Sequence, residues 1–327
     1  MLKKISRKLK HCEGLLMKNE NITFSHHPTS SLFVGNGGLE CSVTREYLVE
    51  VFGAHGEIKR IVMLPRKSYS FVVFNTIHQA STAISLLNGL KLPSNSTFYL
   101  AFVKDEDVPE EVSLKNDWPK GLVLLEEFIT EEEEKELLAV INKEDDFNDE
   151  SSLKHRKVKH YGYKFIYGSN NINKNQPLEM KIPDVCIPHL KKLVSLQLLP
   201  RIPDQLTVNH YQPGQGIPPH VDTHSPFEDG IVSLSLSSQV VMNFYSPHGE
   251  IVSVSLPRRS ALVMLGESRY LWKHGITPRK QDIIRSESSG HLTLLARSLR
   301  TSLTFRLTRE GECNCEYKEH CDSKIST

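Results

Sequence analysis

The 327-residue sequence has no apolar run approaching the ~20 residues that cross a bilayer, and no secretory apolar core near its start. No membrane association is expected. Cysteine is scarce, and six residues in a chain without a secretory segment argue against a disulfide framework. An excess of either charge is missing too. Forty Lys and Arg against 39 Asp and Glu leave a net +1, so any nucleic-acid affinity must come from local patches. No G-x-G-x-x-G loop is present to cradle a nucleotide-type cofactor. What remains is a chain long enough for two separate cores, with a monomer in the cytoplasm, or also in the nucleus, as the expected setting.

Chemistry is concentrated around His220-Val221-Asp222 and the later His274. Two histidines and one carboxylate form a facial triad that leaves cis positions open on a non-haem iron(II). In an extended strand His220 and Asp222 share one face, so a single segment supplies two ligands. A second strand must bring His274 alongside.

An open iron needs a two-electron reductant, and 2-oxoglutarate brings two carboxylates that need donors. Asn209 and Tyr211 offer neutral donors on one strand face, while Arg300 and Arg306 offer fork-shaped carboxylate contacts. By period-2 alternation Arg300, Ser302, Thr304 and Arg306 share a face, with Leu303, Phe305 and Leu307 on the other. The two arginine Cα atoms would be roughly 20 Å apart on an ideal strand, so they bracket the cosubstrate from both ends unless the strand bends.

The ordered run N-x-Y-x-P-G, H-x-D, H-G-I and R-x5-R resembles the AlkB family of 2-oxoglutarate and iron(II) dioxygenases over about Gly121 to Arg309. The resemblance implies a double-stranded β-helix (jelly roll), with iron on His220, Asp222 and His274. It also implies 2-oxoglutarate on Asn209, Tyr211, Arg300 and Arg306.

Residues 30–104 read as βαββαβ, a ferredoxin-like order that resembles the RNA recognition motif (RRM). Tyr69 and Phe71 have the same parity in the segment that aligns with the motif's aromatic signature. With Phe33 they are expected to form an open platform for stacked bases. A purely structural brace is the alternative. Residues 1–29 form a basic helix or extension in which Lys3, Lys4, Arg7 and Lys8 are candidate RNA contacts. A mitochondrial presequence and a solvated end also fit that stretch.

The fold class is thus α/β with two domains, an RRM and then a jelly-roll dioxygenase. A charged linker covers 105–120, the dioxygenase region 121–312 and a cysteine-rich tail 313–327. Between Asn142 and Lys181, basic residues alternate with aromatics, which suits a lid that touches phosphate and base. Arg156, Lys157 and Tyr163 are its candidate contacts, and a solvated basic loop is the alternative. In the tail, Cys313, Cys315 and Cys321 suit a tetrahedral zinc(II) site with His224 as fourth ligand, or else His320. Unligated reduced thiols are the other reading.

An RRM ahead of an AlkB-type region, followed by such a tail, resembles the tRNA-modifying branch of that family. The branch also carries a methyltransferase domain, which this sequence lacks, so methyl transfer is expected from a separate chain or a longer form. The resemblance implies hydroxylation of 5-methoxycarbonylmethyluridine at the wobble position of tRNA. Oxidative demethylation of alkylated RNA or DNA, and RNA binding without catalysis, are the alternatives.

Overall fold

The computed structural model describes residues 2–110, 117–143, 152–153, 156–169, 171–286 and 289–324. The chain divides into two compact units, Met1–Lys115 with Ile283–Leu295, and Asn116–Asp282 with Ala296–Thr327.

The first unit runs α1 (Leu2–Glu20), β1 (Ser31–Gly35), α2 (Arg45–Gly53), β2 (Ile58–Met63), β3 (Tyr69–Phe74), α3 (Ile77–Leu87) and β4 (Tyr99–Val103). Its antiparallel sheet has the order β2-β3-β1-β4. The Thr44 and Thr76 hydroxyls cap α2 and α3 by accepting from the backbone N–H of Tyr47 and Gln79. These helices bury Leu48, Phe52, Ala80, Ala83 and Leu87 against Leu32, Val34, Val72 and Phe74 of one sheet face. This is the RRM architecture the sequence suggested.

The other face corrects an expectation. Phe33, Tyr69 and Phe71 are 1%, 3% and 0% exposed, so they form no open platform. They pack with Leu16 of α1 and with Ile22, and Cys12 and Phe24 close the cluster. The Tyr69 hydroxyl donates to the Glu20 carboxylate at 2.7 Å, and Lys67 pairs with the same carboxylate at 2.9 Å. The apolar stripe of α1 packs on the aromatic face, which the RRM's own helices leave uncovered. Burying it there removes both from water.

The second unit begins with β5 (Leu122–Leu125), α4 (Glu131–Lys143), β6 (Ser152–Leu153), β7 (Arg156–Tyr161), β8 (Phe165–Ile166) and β9 (Asn171–Ile172). There follow α5 (Ile187–Ser195), β10 (Gln205–Tyr211), β11 (Ile217–His220), β12 (Ile231–Leu236), β13 (Val240–Tyr245), β14 (Ile251–Leu256) and β15 (Ala261–Met264). The unit ends with α6 (Gly266–Tyr270), β16 (Lys273–Ile276) and β19 (Arg300–Arg306), while β17 (Gln281–Arg285) and β18 (Leu292–Ala296), which come between β16 and β19 in the chain, fall mostly in the first unit. A seven-stranded sheet, β5-β15-β12-β19-β10-β7-β6, faces a four-stranded one, β11-β16-β13-β14. Apolar residues of both, among them Ile231, Leu262 and Met264 opposite Met242, Phe244 and Leu256, fill the space between. The far side of the large sheet is covered by α4 and α5, which take up Leu303, Phe305 and Leu307. This is the expected double-stranded β-helix.

The dioxygenase region was expected to run unbroken from 121 to 312, but residues 283–295 cluster with the first unit. There Leu292 is buried in the α2–α3 core, with Ile283 and Leu294 packed against it. The hairpin lies in chain order between His274 and Arg300.

Capping by α1 has a direct cost if undone. Leu16→Ala should lower stability by about 2–5 kcal/mol, the range for a fully buried leucine, whereas Leu15→Ala, at 39% exposure, should stay within about 0.5 kcal/mol. Urea unfolding of the two variants measures the difference. Equal effects would detach α1 from the sheet.

Candidate metal and cosubstrate site

In the small sheet His220 pairs in register with His274 across β11 and β16. The strands come close because Gly216 and Gly275 carry no side chain. A Cβ on Gly216 would lie 2.1 Å from the Ile276 carbonyl oxygen. The strand ends at His220, so Asp222 lies in the loop beyond it rather than in the strand. His220, Asp222 and His274 nonetheless converge, with one ligand atom from each within 4.8 Å of the others.

The atoms left over fit a divalent metal. His220 Nδ1 lies 2.9 Å from the Pro218 carbonyl, to which it can only donate, and this frees Nε2 as a lone pair. His274 Nε2 lies 3.9 Å from Asp222 Oδ2. That oxygen is buried and has no hydrogen-bond partner among the described residues. Two imidazole nitrogens and a carboxylate oxygen on one side of a cavity are a donor set suited to iron(II).

Asp222 is held at both ends. Arg306 Nη2 donates to Oδ1 at 3.0 Å, and the guanidinium of Arg269 donates to the Asp222 and Thr223 carbonyls at 2.5 and 2.8 Å. Burial alone would raise the Asp222 pKa. Arg306, joined by His274, His220 and Arg269, overcomes this and holds the carboxyl well below the usual range. Burial together with His220 pushes His274 down to about 3, so its imidazole is neutral at pH 7. Sequence reasoning missed Arg269, because a lone arginine in a short polar segment carries no pattern that marks it as buried.

Beside the triad lies a cavity of about 380 Å³, lined by Asn209, Tyr211, Arg300, Ser302, Thr304 and Arg306 among others. Pairing of β10 with β19 sets Tyr211 opposite Arg300 and Asn209 opposite Ser302. Arg300 is 3% exposed and donates to Ser235 Oγ at 2.9 Å. Among the described residues no carboxylate pairs with it, and burial pulls its pKa down to about 10. A buried cation without a counter-ion is costly, so this end of the cavity suits a carboxylate. Arg306 differs from what the sequence suggested. Its fork is committed to Asp222 on one side and to Gln205 and Thr207 on the other. It lines the cavity, but its first partner is the Asp222 carboxylate.

The lid candidates separate. Arg156 lines the cavity and donates from Nε to Asn209 Oδ1 at 2.9 Å. Lys157 shares the opposite face of β7 with Tyr161, which belongs to the helix-covered core. It is exposed and does not line the cavity. Tyr163 is half-buried and does not line the cavity. Phe165 and Tyr167, which no spacing singled out, do line it, with their rings 5.1 Å apart. Lys154 and His155 of the expected lid lie outside the described residues, as do the side chains of Lys3 and Lys4, while Arg7 and Lys8 are exposed on α1.

A second cluster joins His224 to Cys315 and Cys321 within 4.8 Å. His224 Nε2 faces the Tyr270 carbonyl at 3.0 Å, so Nδ1 is the free lone pair, 3.5 Å from Cys315 Sγ. Cys313, the remaining expected ligand, is buried but is not among the three whose ligand atoms converge. His320 is not part of this group. Tyr270 stacks on Tyr317 at 5.4 Å, so α6 touches both the tail and the Asp222 loop.

Comparison with known proteins bears on both units. The 2OG-Fe(II) oxygenase superfamily matches residues 121–306 and the RNA recognition motif matches 32–97. A Xenopus tropicalis protein named tRNA (carboxymethyluridine(34)-5-O)-methyltransferase alkbh8 is 45% identical, covering 98% of this chain and 53% of its own length. A Mus musculus protein of the same name is also 45% identical, with 98% and 51% covered. The chain thus spans about half the length of these relatives. An Arabidopsis thaliana protein named Alkylated DNA repair protein ALKBH8 homolog is 31% identical, with 92% of this chain and 95% of that protein covered. A solved structure described as "The structure of OsALKBH1" aligns over 58% of the chain with a TM-score of 0.45 and 18% identity.

The contact between His160 and Thr207, a residue of the cavity wall, also makes stability depend on pH. His160 Nδ1 lies 3.1 Å from Thr207 Oγ1, and burial, reinforced by Arg306, lowers its pKa to about 4. The unfolded imidazole protonates near 6.5. The unfolded chain therefore binds more protons between those values, and stability falls as pH drops from about 6.5 toward 4. Between pH 7 and pH 5 the urea midpoint should fall further in the wild type than in His160→Gln. Equal falls would mean that His160 takes its proton in the folded state.

Proposed function

The chain belongs to the 2OG-Fe(II) oxygenase superfamily, in its RRM-bearing ALKBH8 group, and on that premise we propose that it hydroxylates the side chain of 5-methoxycarbonylmethyluridine at the wobble position of tRNA. The reaction class is that of a 2-oxoglutarate- and iron(II)-dependent dioxygenase. The observation that carries the reading is one cavity uniting three metal-ready atoms, an unpaired buried arginine and two exposed-edge aromatics. The kinship with proteins named for uridine 34 of tRNA points to the substrate.

Bound iron(II) would supply, with dioxygen and 2-oxoglutarate, the oxidation of a C–H bond to an alcohol, the cosubstrate leaving as succinate and carbon dioxide. His220, Asp222 and His274 hold the metal. Arg300 takes the distal carboxylate of the cosubstrate, with Tyr211 and Asn209 as neutral donors. Phe165 and Tyr167 give the mouth flat surfaces on which a base can stack, and the two packed sheets keep bulk water from the reacting carbon. Because α1 covers the aromatic sheet face, RNA contact in the first unit falls to its outward Arg7 and Lys8 rather than to Phe33, Tyr69 and Phe71. A tRNA methyltransferase, on a separate chain or a longer form, prepares the ester. His224, Cys313, Cys315 and Cys321 bind a structural zinc(II) whose role is to fasten the tail beside α6.

The printed name of the Arabidopsis relative favours a second reading, oxidative demethylation of an alkylated base. Mass spectrometry of tRNA nucleosides after incubation with iron, 2-oxoglutarate and ascorbate separates the two. Gain of one oxygen on the modified uridine is expected. Formaldehyde with loss of a methyl group supports demethylation instead, and neither product from any tRNA rejects both. For the tail, metal analysis should find zinc that survives mild chelation, and Cys313→Ser should lower both zinc content and melting temperature. Native protein with three freely alkylated tail thiols and no zinc rejects that part.

A further inference from the structure

We propose that Arg156 is a positioning residue for the cosubstrate, acting by fixing which end of the Asn209 amide faces the cavity. The inference rests on the reading of Asn209 as a 2-oxoglutarate donor and deepens it.

Arg156 begins β7, the neighbour of β10, where Asn209 stands opposite Val158. The Arg156 Nε–H lies 2.9 Å from Asn209 Oδ1. A guanidinium Nε–H can only donate, and a primary amide has a single accepting atom. The contact therefore turns the Asn209 oxygen toward Arg156, and the hydrogen-bond partner fixes which end of the amide faces which way. The NH2 group is left for the cavity, which both residues line. This orientation matters because every polar atom of 2-oxoglutarate is an acceptor. An amide turned oxygen-first would meet the cosubstrate with repulsion and lose a hydrogen bond at the same time.

Arg156 is itself held in place. Its guanidinium carbon sits 5.9 Å from the centre of the Tyr167 ring, Tyr167 packs edge-on to Phe165 at 5.1 Å, and Phe165 stacks on Phe227 at 6.1 Å. Phe227 is fully buried and also carries the Arg306 guanidinium over its ring at 5.2 Å. One aromatic series thus runs from the arginine that orients the metal-ligand carboxylate to the arginine that orients the cosubstrate amide. The rings of β8 and the segment after it therefore support cosubstrate binding as well as shaping the mouth.

The test is a double-mutant cycle on Arg156 and Asn209. 2-Oxoglutarate affinity is measured by calorimetry on protein loaded with manganese(II) under anaerobic conditions, alongside RNA affinity by fluorescence anisotropy and a thermal melt of each variant. Arg156→Gln, whose amide can present either end, should weaken 2-oxoglutarate binding about tenfold, the scale of one charge-assisted hydrogen bond. Arg156→Lys, still donor-only, should recover part of that loss. Asn209→Ala should weaken binding by itself and abolish the further effect of Arg156→Gln, since no amide remains to orient. In turnover, KM for 2-oxoglutarate should rise more than kcat falls. Additive losses in the double variant would overturn the proposal by making Arg156 a direct or independent contact. Unchanged 2-oxoglutarate affinity in Arg156→Gln, with weakened RNA binding, would make it a nucleic-acid contact instead. No loss in Asn209→Ala would remove the underlying cosubstrate reading along with the proposal.

Discussion

The ion pair between Arg306 and Asp222 is the constraint on which the catalytic unit turns. A carboxylate buried beside two imidazoles pays a large desolvation cost, and its position is useful only if one oxygen is committed elsewhere. Arg306 takes Oδ1 at 3.0 Å and leaves Oδ2 buried, unpartnered and 3.9 Å from His274 Nε2. The same guanidinium reaches Gln205 and Thr207 on β10, the strand that carries Asn209 and Tyr211. One side chain therefore sets the metal-ligand carboxylate and the wall of the cosubstrate cavity together. Arg269 completes the fixation from behind by gripping the backbone carbonyls of Asp222 and Thr223.

Arg300 is the counterpart of that pair, at the other end of the same strand. Its cation is buried against the Ser235 hydroxyl and the face of Tyr211, and among the described residues no carboxylate forms an ion pair with it. Such a charge weakens the protein until an anion arrives, and the energy withheld from folding becomes available for binding one. The contrast explains why two arginines six positions apart on β19 do different work. Arg306 is satisfied within the protein, whereas Arg300 needs a ligand to be satisfied.

The arginine strand could be read from sequence because a strand converts its alternate spacing, Arg300 to Arg306, directly into a shared face. The strand geometry expected for His220 and Asp222 did not hold, since β11 ends at His220 and it is the loop beyond that brings Asp222 to the two histidines. Tyr167 and Phe165 could not be found this way. They belong to an irregular stretch in which parity does not fix direction, so Tyr163 looked an equally good contact. The aromatic signature of the RRM was legible as residues and as strands. That α1 would lie over it was not, because an apolar stripe on a helix says only that the helix packs, not against what. The reach of residues 283–295 into the first unit was hidden for the same reason, since three apolar residues in a hairpin do not reveal which core receives them.

The metal centre is the claim on which the rest stands, and X-ray absorption at the iron edge tests it most directly. Protein loaded anaerobically with iron(II) should show light-atom scattering that requires two imidazoles. The imidazole contribution should halve in His274→Ala. Sulfur scattering at the iron, or an imidazole contribution that His220→Ala and His274→Ala leave unchanged, would place the iron elsewhere and contradict the account.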